Sequence, residues 1–169
     1  MTLFSSHSPT AILSPCRRYR YVLTRIWSDA PPVCWIGVNP STADANVDDP
    51  TIRKMCGFAR AWSAGGIVVC NLFALRSTDP KALYADPADA IGPQNDDYIA
   101  EATKGRRVIA AWGVHGKLAG RGKAVMRMLA DAGVALECLR VTKDGHPYHP
   151  LYCPASLTPI PFGPLARNT

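Results

Sequence analysis

The residues of this chain best suited to chemistry stand where its hydrophobic runs stop. The run over 33–38 ends at Asn39-Pro40-Ser41-Thr42, and the run over 67–70 ends at Asn71-Leu72-Phe73. The run over 108–111 ends at Trp112-Gly113-Val114-His115. The run over 136–141 leads into Gly145-His146-Pro147-Tyr148-His149-Pro150-Leu151-Tyr152. A carboxamide offers two N–H donors and a carbonyl acceptor, and an imidazole near neutral pH donates or accepts. If the four runs are parallel strands, two asparagines, a Trp-Gly turn and two histidines collect along one edge of one sheet. Ligands of open α/β sheets bind outside the carboxyl ends of the strands, so the distribution marks a site.

The elements that must position these residues follow from periodicity and punctuation. The segment 19–27 is rich in β-formers and reads as an edge strand compatible with antiparallel pairing. Asp49 before Pro50 predicts a helix start, with Asp49 as cap and Pro50 in the first turn. Ile52, Met55, Phe58, Ala59 and Trp62 then fall on one helical face, and Gly65-Gly66 ends the helix. Residues 76–94 carry three Asp-Pro or Gly-Pro breaks and read as loop with a short helix, whereas 95–103 reads as a helix. A helix is predicted over 116–133, with Leu118, Val125, Met128 and Leu129 toward the core, then a strand over 134–141. The proline-rich tail after Cys153 reads as irregular. Strands alternating with helices imply crossovers. The predicted fold is therefore an α/β class, three-layer α/β/α sandwich with a mainly parallel central sheet. A flexible N-terminal arm is expected over 1–16 and a single domain over 17–169.

Composition narrows the class. The chain has 169 residues, 47% hydrophobic, and a formal net charge of +6, which fits one globular domain with a basic excess suited to a polyanion. Its six cysteines form no Cys-x-x-Cys pair and no zinc-finger spacing. Cys34, Cys70 and Cys138 lie inside apolar runs, as small buried hydrophobes do in a reducing cytosol. No metal and no cofactor are expected. No run approaches the ~20 apolar residues of a membrane span, and the N-terminus lacks the early positive region of a signal peptide. A cytoplasmic monomer is expected.

The chain order Asn-Pro, Asn-Leu-Phe, Trp-Gly, His-Pro resembles the uracil-DNA glycosylase superfamily. Gly37-Val38-Asn39-Pro40 looks like its first motif, closest to the mismatch-specific and thymine-DNA branch. Asn71 resembles the asparagine that reads the pyrimidine in the uracil-specific branch, and Ala111-Trp112-Gly113 is similar to that branch's strand end. The segment from His146-Pro147 to Leu151 resembles the second motif. The stretches NPSTAD, DDPTIRK, NLFALRSTDP, AWG and DGHPYHPLY also look like an uncharacterised bacterial family known only as a domain of unknown function. There are two departures from the glycosylases. The most active branch has Asp where Asn39 stands, and Asn39 cannot act as a general base. The second motif here has an inserted residue, so either His146 or His149 is the counterpart.

The resemblance implies a uracil-DNA glycosylase-like fold and monofunctional hydrolysis of the N-glycosidic bond of a damaged or modified base, with DNA a better partner than RNA. Such cleavage builds positive charge on the sugar and negative charge on the departing base. Under this reading Asn39 holds the water, His146 or His149 donates to the leaving oxygen, and Asn71 reads the base edge. Phe73 or Trp112 stacks on the base, Gly37 lines its pocket, and Leu151 wedges into the stack. Asp44, Asp48 and Asp49 are carboxylates that replace the missing base. Ser41, Thr42, Arg76, Arg121 and Lys123 are candidate phosphate contacts. The same residues have plainer readings: Asn39-Pro40 as a turn, Asp49 as a cap, Trp112 and Phe73 as core, the basic residues as solvated helix faces. Two other functions fit the pattern: an enzyme processing a free nucleotide or modified base, with Ser41-Thr42 holding phosphate, or a non-catalytic nucleic-acid-binding module.

Overall fold

Seven strands form one mixed sheet in the computed structural model, which describes residues 9–41 and 46–164. The strands are β1 (Thr10–Leu13), β2 (Arg20–Ile26), β3 (Val33–Gly37), β4 (Gly66–Asn71), β5 (Val108–Ala110), β6 (Leu136–Cys138) and β7 (Ile160–Phe162). Their order across the sheet is β1-β2-β4-β3-β5-β6-β7. Five α-helices join them: α1 (Pro50–Ala61), α2 (Lys81–Ala85), α3 (Pro87–Ile91), α4 (Asn95–Thr103) and α5 (Arg121–Asp131). Among the described residues no helix is long and apolar enough to cross a membrane.

The central strands are buried on both faces, and their side chains alternate between two hydrophobic clusters. Cys34, Ile36, Val68, Cys70, Val108 and Ala110 join one cluster, which takes Ile99 and Ala102 of α4 and Val125 and Leu129 of α5. Val33, Trp35, Ile67, Val69 and Ile109 join the other, which takes Ile52, Met55, Phe58 and Ala59 of α1. The period of two along each strand is what assigns neighbours to opposite faces. Trp35 stacks on Trp62 with ring centroids 5.6 Å apart, and Phe58 lies 5.5 Å from Trp62. The helical face read from residues 52–62 is thus the face that packs.

Half of the strand pairings are parallel. β4, β3, β5 and β6 run parallel to one another, whereas β1–β2, β2–β4 and β6–β7 are antiparallel. The sheet is therefore mixed rather than mainly parallel. Three further expectations are corrected. Residues 10–13 of the expected arm form β1, which makes β2 an interior strand. The tail is not wholly irregular, because β7 pairs with β6. The helix expected over 116–133 is two segments: a 3-10 stretch over Gly113–Gly120, then α5. The break falls at Ala119 and Gly120, whose φ values of 50° and 67° are left-handed and incompatible with continuing helix.

The order β4-β3-β5-β6 places a topological switch at β3. The chain leaves β3 through α1 toward β4 on one side, and leaves β5 through α5 toward β6 on the other. A crevice opens outside the carboxyl ends of β3 and β5, where such sheets bind ligands. The entry to α1 forms one wall of it. Asp49 Oδ1 accepts from the backbone N–H of Ile52 at 2.8 Å, and Pro50 occupies the first turn. Asp49→Ala is expected to destabilise the fold by about 1 kcal/mol and Asp49→Ser by much less, measured by urea denaturation of the two variants side by side.

Candidate active site

A cavity of about 590 Å³ occupies this crevice, within the range of small-molecule sites. Each of the four strand ends named from the sequence contributes to its wall. Gly37 ends β3 and Val38 and Asn39 follow it, Asn71 ends β4, Trp112 to His115 follow β5, and Thr142, Tyr148, His149 and Tyr152 lie in the segment after β6. Arg20 of β2, and Asp49 and Ile52 at the start of α1, line it as well.

The register of β3 and β4 sets the floor. Gly37 pairs with Asn71 across the parallel ladder. A Cβ on Gly37 would lie 2.6 Å from Asn71 Oδ1, so the carboxamide sits in the space that only glycine leaves. Asn71 is 4% exposed. Its backbone carbonyl accepts from Asn95 Nδ2 at 2.9 Å, but no described residue hydrogen-bonds its side chain. Its polar atoms are not sealed off, because the side chain lines the cavity. The donors and the acceptor of the carboxamide are therefore open to a ligand.

Asn39 sits at the next turn. Its Nδ2 donates to the carbonyls of Ser77 at 2.9 Å and Pro40 at 3.1 Å. The Ser77 bond ties the loops after β3 and β4 together, and the two bonds consume both N–H donors. Only Oδ1 is left to meet a ligand or a water. Ser41 Oγ donates to Asp49 Oδ2, so Asp49 holds both the loop and the helix start. Asp48 accepts from Arg25 Nε at 2.8 Å and does not line the cavity.

The two histidine candidates separate cleanly. His149 lines the cavity, whereas His146 sits in a turn closed by Thr142 N–H to His146 O at 2.7 Å and is not part of the wall. The Leu151 N–H donates to His149 Nδ1 at 3.4 Å, which leaves the proton of the neutral ring on Nε2. Burial holds the His149 imidazole below its ordinary range; Asp49 opposes the shift and His115 adds to it. His115 lines the cavity as well, and its Nδ1 lies 3.2 Å from Tyr84 Oη. It follows Gly113, whose φ of 64° turns the chain after β5. His115 is absent from the candidates drawn from sequence, although it stands two residues beyond that turn in the same strand-end run.

Several other expectations are corrected by packing. Phe73 is wholly buried in the core and presents no face to a ligand. Trp112 is also core, edge-on to Phe162 at 6.1 Å, while contributing to the wall. Arg121 is not a surface cation: Nε donates to Leu72 O at 2.8 Å and Nη2 to Asp96. Arg76 donates to Arg17 O at 3.2 Å, outside the cavity. Lys123 is exposed on α5, away from the wall. Leu151 is exposed beside the cavity in a 3-10 turn over Pro150–Tyr152. Thr42 and Asp44 lie outside the described residues. Among the described residues no group of three or more His, Cys, Asp or Glu side chains is placed to hold a metal ion.

A family model described as "Protein of unknown function (DUF1643)" matches residues 20–151. The chain belongs to that family. The DUF1643 match begins at Arg20 and ends at Leu151, so it contains every cavity-lining residue named above except Tyr152. β1 and β7 fall outside it. No curated protein and no solved structure matches the chain. The likeness to uracil-DNA glycosylases therefore rests on the four motifs alone.

Two measurements check this geometry. Gly37→Ala is expected to displace the Asn71 carboxamide, lowering stability by about 1–3 kcal/mol and removing any ligand binding that Asn71 supports; calorimetry reads both. His149 is expected to titrate below the usual ~6.5 in a histidine NMR titration. The sign follows from a depressed folded value: this contribution to stability is full above the unfolded value and is lost as pH falls through the folded one.

Proposed function

We propose that this domain recognises a nucleobase and hydrolyses the N-glycosidic bond that carries it, in a three-layer, uracil-DNA glycosylase-like α/β/α frame. The observation that carries the reading is Asn71, a buried carboxamide without a described partner at the floor of a strand-end cavity. A carboxamide pairs with an adjacent donor and acceptor, which is the pattern of a pyrimidine edge. The cavity also brings in Asn39, Asp49 and His149, which divide the remaining tasks.

Cleavage breaks the bond from the anomeric carbon to the base nitrogen, with the electron pair leaving on the base. The oxygen of water bonds to that carbon and gives up its proton. Asn39 Oδ1 orients the water. Asp49 supplies the negative charge that favours the cationic sugar and accepts the proton, which Asn39 cannot do. His149, held neutral by burial, donates from Nε2 to the base carbonyl as charge develops there. The neutral state makes it a hydrogen-bond donor rather than a full acid.

The test is incubation with single- and double-stranded oligonucleotides containing uracil, hypoxanthine or hydroxymethyluracil, followed by alkali. Strand breaks are expected with at least one base, and Asn71→Ala is expected to lower the rate by about a hundredfold. No breaks with any lesion in either strand form would reject the hydrolase. A second reading has one observation in its favour: Arg20 is the one lysine or arginine among the described lining residues, in company with the hydroxyls of Ser41, Thr51, Ser77 and Thr78. That suits a free nucleotide better than a long polyanion. Thermal stabilisation by mononucleotides, with none by DNA, would favour it.

A further inference from the structure

We propose that the mouth of this cavity is a stacking platform for single-stranded nucleic acid, on which nucleotides flanking the bound base lie against exposed rings. The proposal rests on the nucleobase reading above and narrows its substrate to an unpaired strand.

The rings come in two couples. Tyr152 is 78% exposed yet lines the cavity, and its ring centroid lies 5.8 Å from that of His149. Tyr84 is 48% exposed and meets His115 edge-on at 6.3 Å. His115 and His149 are both in the wall, so each couple runs from the cavity outward to a solvent-facing tyrosine. The couples are built from three segments, those after β4, β5 and β6. Val114 and Leu151, 46% and 42% exposed, lie within them.

The concentration of these residues is what calls for a ligand. Of the seven large apolar side chains exposed among the described residues, Val114 and Tyr152 line the cavity, Leu151 adjoins Tyr152 in the chain, and Tyr84 meets His115 of the wall. Single exposed hydrophobes are ordinary, whereas a group around one cavity marks an interaction surface. Flat rings with polar edges complement bases, which every unpaired nucleotide offers whatever its sequence. A duplex keeps those faces stacked on one another. Near the rings in the chain, exposed charge is nearly balanced: Lys81, Lys117, Arg140 and Lys143 stand against Asp79, Asp86 and Asp144. Stacking rather than phosphate neutralisation therefore supplies the affinity. Tyr152 takes over the stacking role that Phe73, enclosed in the core, cannot perform.

Fluorescence anisotropy with a labelled ~12-nucleotide thymidine strand carrying one deoxyuridine tests this. The single strand is expected to bind at least about tenfold tighter than its blunt duplex and than deoxyuridine monophosphate. Tyr152→Ala is expected to lose about tenfold and Tyr152→Phe to retain affinity, since one base stacked on one ring is worth that much. Equal affinity for strand and duplex, or for wild type and Tyr152→Ala, would overturn the platform while leaving deoxyuridine monophosphate binding and its dependence on Asn71 intact. Strand binding that survives Asn71→Ala unchanged would keep the platform and remove the base-reading role. Self-association in sedimentation velocity that Tyr152→Ala abolishes, with no strand binding, would assign the rim to a second copy of the chain and overturn the proposal.

Discussion

The parallel register that sets Gly37 opposite Asn71 is the constraint on which the site depends. It makes two strands end flush, so one strand's missing side chain becomes the other's seat. The carboxamide is then held by shape rather than by hydrogen bonds, and its polar atoms stay available to the cavity. Shifting the pairing by one residue would turn Asn71 to the opposite face of the sheet. Trp35 and Val69, paired two residues earlier in the same ladder, oppose such a slip because both are packed in the cluster beneath α1. The core thereby fixes the register, and the register fixes the site.

Much of the remaining machinery braces the fold and faces the void at once. Asn39 spends its donors joining two loops, Asp49 anchors a helix and a serine, and Arg121 ties α5 to the chain leaving β4 at Leu72. Asn39 and Asp49 perform these structural duties while lining the cavity, whereas Arg121 performs its own outside the lining. His149 likewise does both, capping its own short turn through Nδ1 while burial lowers the pKa of its ring. A preorganised site needs this support, because free loops would spend binding energy on their own ordering.

Much of this architecture was legible in the sequence where a physical signal was strong. The apolar runs over β3, β4 and β5, the Asp49-Pro50 cap, the face of α1 and the limits of α4 all follow from period and punctuation. The convergence of Asn39, Asn71, Trp112 and His149 followed from reading those runs as strands. What stayed hidden depended on distant partners. β1 and β7 are short, and only the ladders they complete reveal them. Arg121 looks like any basic helix residue until Leu72 O and Asp96 surround it. Phe73 follows a strand end just as Asn71 closes one, yet its side chain turns inward, and no local signal separates the two. The break before α5 was concealed because Ala119 is an ordinary helix former whose left-handed backbone the sequence does not announce.

The borders of the sheet carry a consequence of their own. β7 is an outer strand of three residues, with Pro161 opposite Glu137. Proline has no amide hydrogen to offer a neighbouring chain, which weakens this margin as a template for another strand. At the opposite margin β1 spans four residues and loses register between Ile12 and Leu13, which spoils it as a template. Lateral growth of the β-structure into fibrils is thus discouraged on both flanks, without any charge being spent on the task.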